Sequence, residues 1–273
     1  MSASTATVRV LACLLLVATV GCRAQVPDPP ADAPTPLADT RRDSFPVPAA
    51  QPGLRSGVVY EEGPASPDGT GRYYLGREIA RVMSHRGAAW LERPDREVEE
   101  RPELLVAALR LDPADTVADL GAGTGYFTFR LAPLVPEGRV LAVDIQPEML
   151  DIVEARAQSE GVQNVVAVQG TETAPGLADE TVDLTLIVDA YHEFSQPREM
   201  LAALYAATKP GGRLVLVEYR AEDPDVPIKR LHKMSEAQVR LELEAAGFAF
   251  AENLDVLPQQ HLLIFRRPAA SGN

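Results

Sequence analysis

The chain has 273 residues, 46% of them hydrophobic, enough for one sizeable α/β domain with appendages. Its formal net charge of −13 repels phosphate backbones, and the Arg41–Arg42 pair is too short to make a basic patch, so nucleic acid is not an expected partner. Cys13 and Cys22 are the only cysteines, which leaves the rest of the chain without a disulfide, a Cys-ligated zinc or a thiol nucleophile; His85, His192, His232 and His261 are scattered without metal-ligand spacing, and no metal is expected.

Arg9 is followed by an apolar run from Val10 to Val20 and then by Gly21-Cys22. That run is short for a membrane-spanning helix and of the right length for the core of a signal peptide. "TVGC" is similar to a bacterial lipobox, in which Cys22 is lipidated. Residues 1–22 therefore read as a signal or anchor with a membrane tether through Cys22, and the protein as a membrane-anchored or exported lipoprotein. An uncleaved leader would leave the domain on the cytoplasmic face, which Arg23, Arg41 and Arg42 favour. Residues 23–71 are rich in Pro, Ala and Asp without helical or strand period, and read as a disordered linker.

Residues 72–111 read as a helical cap in two pieces broken at Pro94. Val98, Leu104, Leu105, Ala108 and Leu109 are expected on one apolar face. From 112 to 267 strand and helix patterns alternate. "TVADL" is a buried strand, "YFTFRLAPLV" starts a helix, and "RVLAVDI" is a second strand. The next helix has Pro147 near its start and Gly161 at its end. "NVVAVQG", "VDLTLIVDA" and "RLVLVEY" are further strands, with a helix from "QPREMLAALYAA" before the last. "SEAQVRLELEAAGF" is a helix with Ser235 as N-cap. "FAFAENLDVL" and "HLLIFRR" close the domain as an antiparallel pair, and 268–273 is a tail. Such alternation implies an α/β fold with a largely parallel sheet and helices on both faces.

Ligands of such sheets lie beyond the carboxyl ends of the strands. Gly121, Gly123 and Gly125 alternate where the first strand turns into a helix, so backbone N–H groups there can approach a ligand closely. A dinucleotide fingerprint needs a glycine where Tyr126 stands, which argues against NAD. Asp119 ends the first strand. Asp144 ends the second, about twenty residues beyond the glycines, where an acid accepts hydrogen bonds from ribose hydroxyls. The third strand end offers Gly170, Thr171 and Glu172; the fourth offers Asp189, Tyr191, His192 and Glu193.

"VADLGAGTGYF", "VLAVDIQPEML", "VDLTLIVDAYHEF" and "TKPGGRLVLVEY", in that order, resemble a class I S-adenosylmethionine-dependent methyltransferase over roughly residues 112–267. The resemblance implies a seven-stranded, mostly parallel, doubly wound sheet with a C-terminal antiparallel strand, and S-adenosyl-L-methionine as cofactor. By the same resemblance Gly121, Gly123 and Gly125 pass close to the methionine part and sugar. Asp119 helps hold the amino-acid portion, Asp144 takes the ribose hydroxyls and Ile145 packs on adenine. Glu172 stands near the adenine amine, although Thr171 departs from the family's usual pattern there. Asp189 and Tyr191 line the pocket near the sulfonium. His192 is the candidate general base, with loop packing as its alternative. The segment around Trp90, Arg93 and Arg96 resembles the family's substrate-side cap; it reads as an exposed helical charge face, with a clamp for an acidic substrate as its alternative. The expected function is methyl transfer to a small-molecule acceptor. A non-catalytic, membrane-anchored module that binds the nucleoside is the alternative.

Overall fold

The computed structural model describes residues 60–269. The signal-like leader, the Cys22 tether, residues 23–59 of the expected linker and residues 270–273 of the tail lie outside the described residues.

The centre of the domain is a seven-stranded sheet. In chain order its strands are β4 (Thr116–Leu120), β5 (Arg139–Asp144), β6 (Val165–Gln169), β7 (Val182–Val188), β8 (Thr208–Tyr219), β9 (Ala249–Asn253) and β10 (Gln260–Arg266). Their spatial order is β6-β5-β4-β7-β8-β10-β9. The first five are parallel to one another, and β10 runs antiparallel to both β8 and β9. Order reverses between β4 and β7, which places a switch point beside the glycine turn.

Both faces of the sheet are covered, as the unbroken apolar runs of β4 and β7 require. On one face α6 (Pro197–Ala207) and α7 (Glu236–Ala245) bury Leu201, Leu204, Val239 and Leu243 against Ile187, Leu216 and Phe265. On the other, α3 (Pro102–Leu109) and α4 (Thr128–Leu131) bury Leu105, Leu109 and Leu131 against Val117, Val140 and Leu184. Val98 stands apart from that face: it is 77% exposed. α5 (Pro147–Glu160) carries proline in its first turn and ends at Gly161 with φ +69°. Ser235 Oγ accepts from the Gln238 N–H at 3.2 Å and caps α7. Among the described residues no helix is long and apolar enough to cross a membrane.

The N-terminal region differs from its sequence reading. Strands Glu61–Glu62 and Gly69–Tyr74 fall within or begin in the expected linker, and the cap is not wholly helical. A small antiparallel sheet forms from β1 (Glu61–Glu62), β2 (Gly69–Tyr74) and β3 (Arg77–Ala80). The β2–β3 turn is Leu75-Gly76, both at positive φ, a primed hairpin turn with Leu where Asn or Asp usually stands. Long-range bonds hold this sheet down. The Tyr60 hydroxyl donates to Glu199 at 2.6 Å, and the Arg72 guanidinium to Ser195 O and Gln196. Arg77 makes a two-pronged pair with Glu242 of α7 at 2.7 and 2.8 Å. Helix appears only after it, in the one-turn α1 (Ala88–Leu91) and α2 (Arg96–Glu99) and in α3.

Candidate active site

The carboxyl ends of β4, β5 and β7 open into a cavity of about 630 Å³. Residues of the 81–100 segment roof it on one side, and Ile228, Lys229 and His232 on another.

On the β4–β5 side the glycine turn sets the shape. Gly121, Gly123 and Gly125 all have φ between +55° and +82°, which L side chains rarely adopt. A Cβ on Gly121 would stand 2.8 Å from the Ala190 Cβ, and one on Gly123 2.6 Å from a Leu91 methyl. The turn is pinned to the next strand: the Asp144 carboxylate accepts from the Gly123 N–H and from the Gln146 N–H, each at 2.9 Å. Each carboxylate oxygen keeps a lone pair for a ligand. Burial raises the Asp144 carboxyl above its ordinary range, and the backbone donors oppose that rise. Ile145, 39% exposed, lines the cavity beside it, with Met149, Gly170, Thr171 and Glu172.

Asp119 lies outside the residues that line the cavity. It is buried beneath the glycine turn and accepts from the Thr128 hydroxyl at 2.6 Å. Burial pushes its carboxyl up to about 6. It supports the turn from outside the cavity lining, a place that suits a hold on the amino-acid portion through water rather than by direct contact. Gly125 is likewise a packing glycine, since its missing Cβ makes room for the Phe129 ring.

The β7–β8 side was less visible in sequence. Asp189 lines the cavity with φ +48°; one carboxylate oxygen accepts from Gln260 Nε2 at 2.7 Å, and the other is buried without a partner among the described residues. Burial, reinforced by the charges of Glu100 and Glu218, drives this carboxyl well above its usual range. Tyr191, expected near the sulfonium, is instead fully buried and turned away. The 3-10 turn Tyr191–Glu193 points its ring into the core, where its hydroxyl donates to Glu242 at 2.7 Å. His192 does line the cavity. Its Nδ1 lies 2.7 Å from Oε2 of Glu218, a fully buried acid in β8, and its N–H donates to Oε1 of the same carboxylate. Burial works to lower the imidazole pKa, but Glu218, with help from Glu193 and Asp189, outweighs it and leaves the group above its ordinary value.

His232, on the segment between β8 and α7, closes on His192 with ring centroids 5.0 Å apart. Glu193 stands beside both, so histidines scattered in sequence meet here with a carboxylate. Glu193 was named at its strand end without a role; Glu218, His232 and Gln260 were missed. The visible signal was an acid within the apolar strand "RLVLVEY"; nothing local marked the other two.

Neither an exposed charge face nor a free cationic clamp forms, since Arg96 is 5% exposed and both guanidiniums are engaged. Arg93 and Arg96 both donate to Glu100, and Tyr219 also donates to it at 2.9 Å, so the two guanidiniums already have their anion. Arg93 also stacks on Trp90, 3.9 Å from the ring centroid. Lys229 pairs with Asp68 at 2.6 Å. Asp144, Asp189 and Glu193 have no Arg or Lys ion pair among the described residues.

Residues 117–212 match the family described as methyltransferase domain. An uncharacterized methyltransferase-like protein of Schizosaccharomyces pombe is 33% identical over 148 residues, 54% of this chain and 54% of that protein. An uncharacterized methyltransferase of Mycobacterium tuberculosis is 39% identical over 132 residues, 48% of this chain and 49% of the relative. The crystal structure of a SAM dependent methyltransferase from Aquifex aeolicus superposes with a TM-score of 0.64 at 27% identity, over 68% of this chain and 100% of the other. The chain spans about half the length of the curated relatives it matches.

Proposed function

We propose that this chain, whose residues 117–212 form an S-adenosylmethionine-dependent methyltransferase domain, transfers a methyl group to a small-molecule acceptor held on the His192 side of the cavity. The observation that carries the reading is the Asp144 carboxylate, fixed at the lip of the sheet by the glycine turn and open to the cavity.

The residues present fit the cofactor. Asp144 would hold the ribose hydroxyls and Ile145 the adenine face; the bare backbone at Gly121 and Gly123 leaves room for the chain that follows. The unpartnered Asp189 oxygen suits the cationic end. When bound, the cofactor supplies a methyl group on a positively charged sulfur. The chain's own contribution is alignment and exclusion of water. The roof from residues 81–100 is tied to the sheet edge for that purpose. Gln146 accepts from the His85 N–H at 2.7 Å and donates to Met83 O at 3.0 Å, and Thr124 donates to Glu92. The cavity volume lies in the range of small-molecule sites, which supports a small acceptor over a polymer.

The test is transfer of isotope from methyl-labelled S-adenosylmethionine by the full chain into a fractionated pool of small metabolites. Label in a low-molecular-weight product is expected. Donor binding with no transfer to any fraction would leave the non-catalytic module as the better reading.

A further inference from the structure

We propose that His192, Glu193 and His232 form a binding site for one divalent transition-metal ion of the zinc type, on the cavity wall that faces the acceptor. The three facing atoms, one from each side chain, lie within 4.8 Å of one another. Glu193 Oε1 is 3.9 Å from His192 Nε2 and 3.8 Å from His232 Nε2. Ligands bound at about 2.0–2.2 Å to a tetrahedral ion stand about 3.3–3.5 Å apart, so the two Glu193 contacts need to close by about half an ångström and the imidazole pair, within 4.8 Å, by at most about 1.5 Å. Glu193 and His232 keep 15% and 24% of their side-chain surface exposed, which leaves them that freedom.

Two imidazoles and a carboxylate form a donor set that binds zinc and related ions. The surroundings prepare each donor. His192 Nδ1 meets the buried Glu218, so Nε2 is the nitrogen turned toward the cluster. A carboxylate on the far nitrogen is the usual outer partner of a metal-bound histidine. Glu193 Oε2 accepts from the Met83 N–H at 3.0 Å, which leaves Oε1 for the ion. Glu193, Glu218 and Asp189 place three carboxylates around the position. The nearby Lys229 is already engaged by Asp68. Three protein ligands at a cavity wall leave a coordination position open, as in catalytic rather than structural zinc sites. The site rests on side-chain geometry alone and stands whether or not the domain transfers methyl groups.

The test is titration of the chelator-treated full chain with Zn²⁺ alone, by calorimetry, in a Cys13→Ser, Cys22→Ser background so that no thiol contributes. One ion per chain is expected, and Co²⁺ in its place should give visible absorption without a thiolate band. His232→Ala should abolish stoichiometric binding. Glu218→Gln should weaken binding about 10–100-fold through His192. Retained thermal unfolding of both variants separates these effects from loss of fold. Absence of stoichiometric Zn²⁺ binding would overturn the site and leave an imidazole–carboxylate cluster that holds only protons. Unchanged affinity in His232→Ala would overturn it equally, by placing the ion elsewhere.

Discussion

On the β4–β5 side of the cavity, the groups that face a ligand come from two adjoining strand ends and the turns after them. Gly123 meets Asp144 across one strand spacing, and Ile145 follows directly in the chain. On the β7–β8 side, His192 leans on Glu218 from another strand, Asp189 on Gln260 from a third, and His232 arrives from a connecting segment. The first wall is mostly backbone geometry, and glycines enforce it. The second is side-chain chemistry that exists only once the sheet has assembled. A cofactor common to many acceptors needs the first kind of wall; an acceptor peculiar to one enzyme needs the second.

The largest expected effect lies beneath the composite wall. Glu242 is fully buried, pairs with Arg77 and receives the Tyr191 hydroxyl. Glu242→Ala leaves the Arg77 charge buried and unpaired, and should cost about 3–5 kcal/mol in denaturant unfolding. Arg77 also donates to His192 O at 3.1 Å, so the β7–β8 wall should lose its shape before the β4–β5 wall does. A loss under about 1 kcal/mol would mean that the pair does not anchor that wall.

Asp119 probes the other wall through pH. Its folded carboxyl titrates near 6, above the unfolded value near 3.9. The folded state therefore holds that proton more tightly. The stability it brings is fully present below about pH 4 and is lost as pH rises through 6, by about 3 kcal/mol. The stability of the parent relative to Asp119→Asn should fall by that order from pH 4 to pH 7. A difference that stays level with pH would show that Asp119 is not the buried acid under the turn.

Gly121 is where the two walls touch. Gly121→Ala combines a left-handed backbone with the 2.8 Å approach to Ala190, and should cost about 1–3 kcal/mol of stability. A neutral result would separate the walls. The smallest effect belongs to the N-terminal sheet: Tyr60→Phe removes the hydrogen bond to Glu199 and the one accepted from the Arg198 N–H, and should cost about 1–2 kcal/mol, with cofactor binding unchanged. A variant with parental stability would show that the hydroxyl bonds of Tyr60 do not hold the N-terminal sheet down.

The same contrast explains what the sequence made legible. The sheet, its antiparallel close, the Ser235 cap and the placement of Asp144 follow from periodicities and spacings within short windows. The N-terminal strands were hidden because Leu75-Gly76 lacks the Asn or Asp of a strong hairpin signal, and "REIARVM" carries a helical apolar spacing. Tyr191 was misplaced because a strand-end position does not say which way a 3-10 turn sends each side chain. The Arg93 and Arg96 clamp failed because Glu100, a few residues on, takes both guanidiniums. Partners such as Glu218 for His192 are set by strand order, which no local window contains.

The most direct test is calorimetric binding of S-adenosylhomocysteine to the full chain and to Asp144→Ala, with NAD as the control ligand. The parent should bind S-adenosylhomocysteine and not NAD. The variant should lose about 1.5–3 kcal/mol of affinity, the range for a hydrogen bond to a charged group. Because Asp144 also pins the Gly123 and Gln146 N–H groups, its unfolding is measured alongside, and the comparison is made where the variant remains folded. Parental affinity in a folded Asp144→Ala, or NAD binding in place of S-adenosylhomocysteine, would contradict the assignment of this cavity to the methyl donor.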